Sequence, residues 1–267
     1  MRSVLLAAAV LFVFGCSDPP PAGGPASGQR QPNAADRGDE LIADFRKRDA
    51  APFRKTRVRL TTTEGDKQEV FEVDVWRKQS GNETRTLSQI IKPVEDTDLA
   101  SLAVEVEGQP TKTTSYVASR GEFRETDTNK MFFGGLTAGE LLGEWDKFDF
   151  EFVGEKELDG QRGFEVKGTL KPGRSGVVYM MTILMRADDL LPVELKLYDS
   201  TERHIRTYRV VEVKTDQRGP YPARTEVENL VYKNRTVIEV LNREFPDNLD
   251  DSFFTRDKLK EIAAGGK

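Results

Sequence analysis

The side chains able to do chemistry are few in type, and their counts narrow the choices at once. There is one histidine, His204, and one cysteine, Cys16. A Ser-His-Asp arrangement would have to use His204. That residue lies in the charged, alternating stretch Glu202-Arg203-His204-Ile205-Arg206 and reads as an exposed strand histidine. One histidine and one cysteine cannot build a Cys/His metal site, and no acidic stretch has the spacing of a calcium loop. Carboxylates are abundant, but glycosidase chemistry needs two of them facing at a fixed gap. Gly134-Gly135 follows two phenylalanines and lacks the lysine and hydroxyl of a phosphate-cradling loop. The expectation is a protein that is not an enzyme, with no catalytic residues, no metal and no cofactor. A formal charge of −5, drawn from 40 basic and 45 acidic residues, also argues against a nucleic-acid partner.

In an exported chain a lone cysteine marks a free thiol, an intermolecular bridge or a modification site. The residues before Cys16 favour the last. Arg2 supplies a positive start, and Val4 to Phe14 is an apolar run of eleven residues. Such a run is too short to span a bilayer and suits an export signal. It ends in Val13-Phe14-Gly15-Cys16, which resembles the bacterial lipobox. That resemblance implies cleavage before Cys16, a diacylglyceryl thioether on its sulfur and acylation of the new amino group. Several acyl chains on one residue anchor a protein firmly to a membrane. Ser17 follows in place of Asp, and the sorting rule of enteric bacteria then implies the periplasmic face of the outer membrane. The expected organisation is a signal peptide at 1–15, a flexible Pro/Gly/Ala/Ser-rich tether at 16–35 and a folded domain at 36–267.

What remains for function is apolar. Met131 to Leu142 reads Met-Phe-Phe-Gly-Gly-Leu-Thr-Ala-Gly-Glu-Leu-Leu. It is either a loop buried under a sheet or a mobile lid hinged at its glycines. Thr137 with Glu140 matches a capping box, so a short helix is expected from about Ala138. Val177 to Arg186 offers apolar side chains to both faces of a sheet. It is either a central strand of an ordinary core or a strand with one face on a lid and the other on a lipid cavity. The candidate cavity residues are Phe132, Phe133, Leu136, Leu141, Leu142, Met180, Met181, Ile183 and Met185.

These segments need a frame. Leu41, Ile42 and Phe45 recur at helical spacing within 36–50, ahead of Pro52. From Phe53 the period drops to two, with a turn at Glu64-Gly65-Asp66 and clean alternation through Phe71, Val73 and Val75. Further strands are expected at 84–93, 99–107, 112–124 (a pair), 148–152, 162–170, 177–186, 191–198, 203–213, 223–232 and 234–243, with a closing helix at 256–263. About eleven strands with so little helix point to a mainly β fold: one strongly curved antiparallel sheet or open barrel.

The stretch from Glu155 to Phe254 carries a familiar pattern. It runs through Glu155-Lys156-Glu157-Leu158-Asp159-Gly160, the Lys171-Pro172-Gly173 turn and Leu190-Leu191-Pro192-Val193. Arg224-Thr225-Glu226-Val227-Glu228-Asn229 and Leu249-Asp250-Asp251-Ser252-Phe253-Phe254-Thr255 complete it. It resembles the outer-membrane lipoprotein-sorting protein family, a LolA-like group. The resemblance implies a half-open barrel with a helical lid around a hydrophobic cavity, holding acyl chains or acylated lipoproteins. The segment around Tyr116, Arg120, Phe123 and Arg124 matches less closely, with Thr111 to Ser115 where the family is more apolar. A lipid-anchored scaffold whose core is filled by its own side chains is the rival expectation.

Overall fold

The computed structural model describes residues 33–48, 51–93, 99–106, 108–130, 133–158 and 160–265. Cys16 and Phe132 lie outside them. Helix α1 (Ala34–Arg48) comes first, then β1 (Phe53–Glu64), β2 (Lys67–Ser80), β3 (Glu83–Lys92), β4 (Leu99–Val106), β5 (Lys112–Val117) and β6 (Glu122–Thr126). A 3-10 turn at Phe133–Gly135 and α2 (Ala138–Leu142) interrupt the strands. They resume as β7 (Phe148–Leu158), β8 (Gln161–Leu170), β9 (Met180–Arg186), β10 (Pro192–Tyr198), β11 (His204–Asp216), β12 (Gly219–Asn229) and β13 (Asn234–Glu244), followed by α3 (Arg256–Gly265).

All thirteen strands form one sheet in the order β6-β5-β4-β3-β2-β1-β13-β12-β11-β10-β9-β8-β7. Every neighbouring pair is antiparallel. Each strand falls on a segment expected from the sequence, β5 and β6 being the pair expected at 112–124; the tally of about eleven counted those segments low. The chain builds half the sheet outward from β1 to β6, then jumps to the far edge at β7 and works back until β13 closes on β1. The ends β6 and β7 do not pair, so the barrel stays open. Curvature still brings the two halves together at one rim, where Arg174 donates to the Gly108 carbonyl at 3.0 Å.

The open edge is covered by α1. Its Asp39 carboxylate accepts from the Phe150 amide at 3.3 Å, satisfying an edge donor that would otherwise be unpaired. Gly38 makes this close approach possible: a Cβ there would stand 2.6 Å from the Glu151 nitrogen. Leu41, Ile42 and Phe45 point into the barrel and are buried. On the convex side α3 packs Leu259 and Ala263 on Leu87, Ala100 and Leu102. The sheet is therefore a middle layer, with α1 and the α2 segment inside it and α3 outside.

Several strands differ in extent from expectation, β7 running to Leu158 instead of 152 and β11 to Asp216 instead of 213; β9 and β12 differ in ways that bear on the site. β9 starts at Met180, and its burial alternates, with Met181, Ile183 and Met185 buried and Met180, Thr182 and Leu184 half-exposed on the other face. The strand is thus not equally buried on both sides. β12 ends at Asn229 rather than 232 because the Asn229 side chain accepts from the amides of Val231 and Tyr232 and turns the chain.

Candidate functional site

The concave face has two characters. Across β7–β10 it is apolar: Phe148, Phe150, Phe164, Val166, Met181, Ile183, Met185, Leu195 and Leu197 are buried there in one cluster with α1. Gly168 leaves room for the Phe150 ring and Met181 to meet over β8. Across β3–β6 the same face carries Thr84, Thr86, Ser88, Ser101, Thr113, Ser115 and Thr126, all buried. The alternation in that half is as regular, but hydroxyls are frequent among the inward residues, interspersed with Ile90, Leu99 and Ala103.

The segment 133–147 lies over the concave face. Phe133 stacks edge-on against Phe71 with ring centroids 4.4 Å apart. Gly134 takes φ 62°, a left-handed conformation suited to glycine. A Cβ there would collide with the bonded Thr62–Thr236 hydroxyl pair on the sheet below. The Asn229 side chain holds this turn by donating to the Gly134 carbonyl at 3.1 Å. α2 then begins as its sequence requires: the Thr137 hydroxyl accepts from the Glu140 amide and the Glu140 carboxylate accepts from the Thr137 amide. A helix of five residues has little stability of its own. Leu136, Leu141 and Leu142, each 3% exposed or less, hold it to the core.

One polar contact ties α2 to the sheet. The Arg206 guanidinium on β11 pairs with the Glu140 carboxylate, and the two side chains are 2% and 7% exposed. Glu140 thus caps its helix and neutralises a cation that would otherwise be costly to bury. Tyr208, two residues along the same face of β11, has its phenol pushed well above the ordinary range by burial and by the nearby Glu140 charge. At the other end of the segment Glu144 accepts from the Thr128 hydroxyl at 3.1 Å and pairs with Lys147. Burial, then the Glu144 charge, raises the Asp146 carboxyl. Glu105 on β4 is held up at about 7 by burial and by the Glu144 and Asp146 charges, with Arg77 and Arg46 pulling it back.

Beneath this segment lies a cavity of about 70 Å³ bordered by Thr137, Gly139, Glu140, Trp145, Phe148, Met181, Leu195, Leu197 and Tyr208. It is under half the ~150 Å³ that admits a benzene ring. Side chains of α1 and of 133–147 pack into the concavity around it.

Of the predicted residues, Phe133, Leu136, Leu141, Leu142, Met181, Ile183 and Met185 are gathered into this one cluster. Met181 alone among them borders the cavity. Met180 is on the opposite face of β9, one step out of phase. Sequence reasoning missed Arg206, which it left in a charged, exposed stretch. It also missed Glu140 as an ion-pair partner, since the capping box marked that residue only as a cap. Among the described residues no group of three or more His, Cys, Asp or Glu is placed to hold a metal ion.

A sheet of this curvature, filled from within by an edge helix and a capped segment, can be compared with known proteins. A family model described as "uncharacterized protein" matches residues 82–261. The chain belongs to that family. Its fold is LolA-like. A DUF1329 family protein from Desulfovibrio piger superposes with a TM-score of 0.79 at 18% identity, covering 85% of this chain and 99% of that one. A domain assigned as an outer membrane lipoprotein-sorting protein from Vibrio parahaemolyticus gives 0.77 at 13% identity, covering 85% and 99%. A LolA superfamily protein from Nitrosomonas europaea gives 0.68 at 15% identity, covering 83% and 98%. No curated protein matches the sequence. The half-open, mainly β architecture expected from the sequence is thus borne out, and the LolA-like resemblance with it. No helix among the described residues is long and apolar enough to cross a membrane.

Proposed function

We propose that this LolA-like protein receives acyl chains, free or on lipoproteins, against the apolar half of its concave sheet, with no catalytic step. It is held at the periplasmic face of the outer membrane by lipid on Cys16, with 1–15 removed as signal and 16–35 serving as tether to the domain at 36–267. The observation that carries the reading is the lid. Segment 133–147 runs from β2, β1 and β13 at Phe133–Gly134 to the apolar β7–β10 at its far end, is held by the Asn229 and Arg206 contacts, and borders a cavity at Met181 and Trp145. A five-residue helix joined to the sheet by the Arg206–Glu140 pair, with Thr128 and Lys171 holding the far end of the segment, is a part that can swing about that end.

The cavity is too small for a long chain in this closed form, so ligand must displace the lid leucines and Phe133. Each methylene transferred from water to the sheet gains about 0.8 kcal/mol. A chain of a dozen methylenes gains about 10 kcal/mol, the same order as re-exposing Phe133 and three leucines at about 1.5–3 kcal/mol each, so longer or paired chains favour the exchange.

The same filled interior favours a second reading, a lipid-anchored scaffold with a permanently packed core. One titration separates the two. The protein is stripped of lipid and titrated with a fluorescent fatty acid. Saturable binding that Met181→Asp or Phe133→Asp removes while the circular dichroism spectrum stays native supports the acyl-binding reading. Absence of binding by the folded wild-type protein refutes it and leaves the scaffold. Mass spectrometry of protein isolated from membranes tests the anchor: Cys16 should be N-terminal and carry acyl mass, and Cys16→Ser should release the protein.

A further inference from the structure

The half of the concave face on β3–β6 is rich in hydroxyls that hydrocarbon does not call for. Its inward residues follow the register strictly. Ser88 lies opposite Ser101, and Ser101 opposite Ser115; Thr86 lies opposite Ala103, and Ala103 opposite Thr113; Thr113 in turn faces Thr126. Part of this surface satisfies itself, since the Ser101, Ser115 and Thr126 hydroxyls form a chain with spacings of 2.8 and 3.1 Å. The neighbouring row does not. Thr86 and Thr113 are 1% and 4% exposed, and neither hydroxyl has a hydrogen-bond partner among the described residues. Only the methyl of Ala103 stands between them. Two strand spacings separate them, or about 10 Å.

A buried hydroxyl without a partner is costly, and valine has the same shape without that cost. Valine is the isosteric alternative at both positions, and β2 carries it at Val73 and Val75 on this face, while the residue directly opposite Thr86 is the buried Arg77, whose charge lies beside Glu105. We infer that Thr86 and Thr113 are the docking points for an uncharged hydrogen-bonding head, ester, hydroxyl or amide, joined to the acyl chain that lies on β7–β10. This rests on the acyl-binding reading above and names the class of ligand. A glyceryl ester and the amide of an acylated peptide share the chemistry, and the experiment includes both.

The whole protein is assayed with three probes: diphenylhexatriene, which is purely apolar; a monoacylglycerol; and a short N-acylated peptide of equal chain length. The variants are Thr86→Val, Thr113→Val and the double substitution. The double variant should bind diphenylhexatriene within about twofold of wild type and lose about tenfold or more on the head-bearing probe that is the natural type, as expected for two hydrogen bonds. Which of the two head-bearing probes suffers the loss identifies the source. The melting temperature of the variants should be unchanged or higher, since an unmet hydroxyl has been removed. If monoacylglycerol and acyl peptide both bind the double variant as they bind wild type, or if the valines lower the melting temperature, the hydroxyls are structural and the inference is overturned. If wild type binds none of the three, the acyl-binding reading itself fails, a result distinct from equal binding by wild type and variant.

Discussion

Replacing Glu140 by Gln tests the lid fastening most directly. The amide keeps the size of the carboxylate and can still accept from the Thr137 amide, so the helix cap is largely preserved. What disappears is the negative charge beside Arg206, a guanidinium only 2% exposed. Leaving one member of a buried pair without its counter-charge costs about 3–5 kcal/mol. Against a total stability on the order of 5–15 kcal/mol that is a large fraction. For a domain of this size it corresponds to a fall of roughly 6–20 °C in melting temperature. Removing the cation as well, in Glu140→Gln/Arg206→Met, should return the protein to within about 2 kcal/mol of wild type. Urea unfolding followed by tryptophan fluorescence measures Glu140→Gln, Arg206→Met and the double variant, because Trp145 is buried within the lid segment. Amide exchange at 138–142 should accelerate in Glu140→Gln more than in the double variant. A loss below about 1 kcal/mol in the single variant, or a double variant worse than either single, would refute the reasoning that a charge pair holds the lid down.

Further outcomes follow from other residues. Glu105 has a carboxyl raised to about 7 in the folded protein, surrounded by Arg77, Arg46, Glu144 and Asp146. The folded state then holds a proton that the unfolded chain releases near 4.5. Its contribution is complete below that value and is lost as pH rises through about 7. Stability should therefore fall by up to about 3 kcal/mol between those limits, and Glu105→Gln should flatten the slope in melting temperature against pH. Gly38→Ala places a methyl 2.6 Å from the β7 backbone; α1 must lift from the edge, at a cost of about 1–3 kcal/mol read by urea unfolding. Ile183→Ala empties a fully buried site at the centre of β9 and should cost about 2–5 kcal/mol by the same measurement.

The architecture was legible because two periods dominate the sequence. Alternation through Phe71, Val73 and Val75, or Leu195 and Leu197, allows only strands with one greasy face. Glycine turns at 64–66 and 159–160 allow only hairpins, so an all-antiparallel sheet follows. The short helix at Ala138 was legible for a local reason: the Thr137–Glu140 box satisfies amides within four residues. The clustering of Phe133, Leu136, Leu141 and Leu142 was also within reach, since apolar side chains on a glycine-broken segment must find a core.

Other features belong to the tertiary structure alone. Which methionines of β9 face inward depends on strand phase, and phase is set by pairing with β8 and β10; hence Met181 faces the cavity and Met180 does not. Arg206 and Glu140 are 66 positions apart and meet only because the chain jumps from β6 to the far edge at β7 and works back through β11. The size of the cavity is decided by how far α1 and the lid sink into the curve, a packing result that no local pattern encodes. The unmet hydroxyls of Thr86 and Thr113 are of the same kind. Threonine in a strand is ordinary from sequence, and only the fold makes it interior and leaves it without a partner among the described residues.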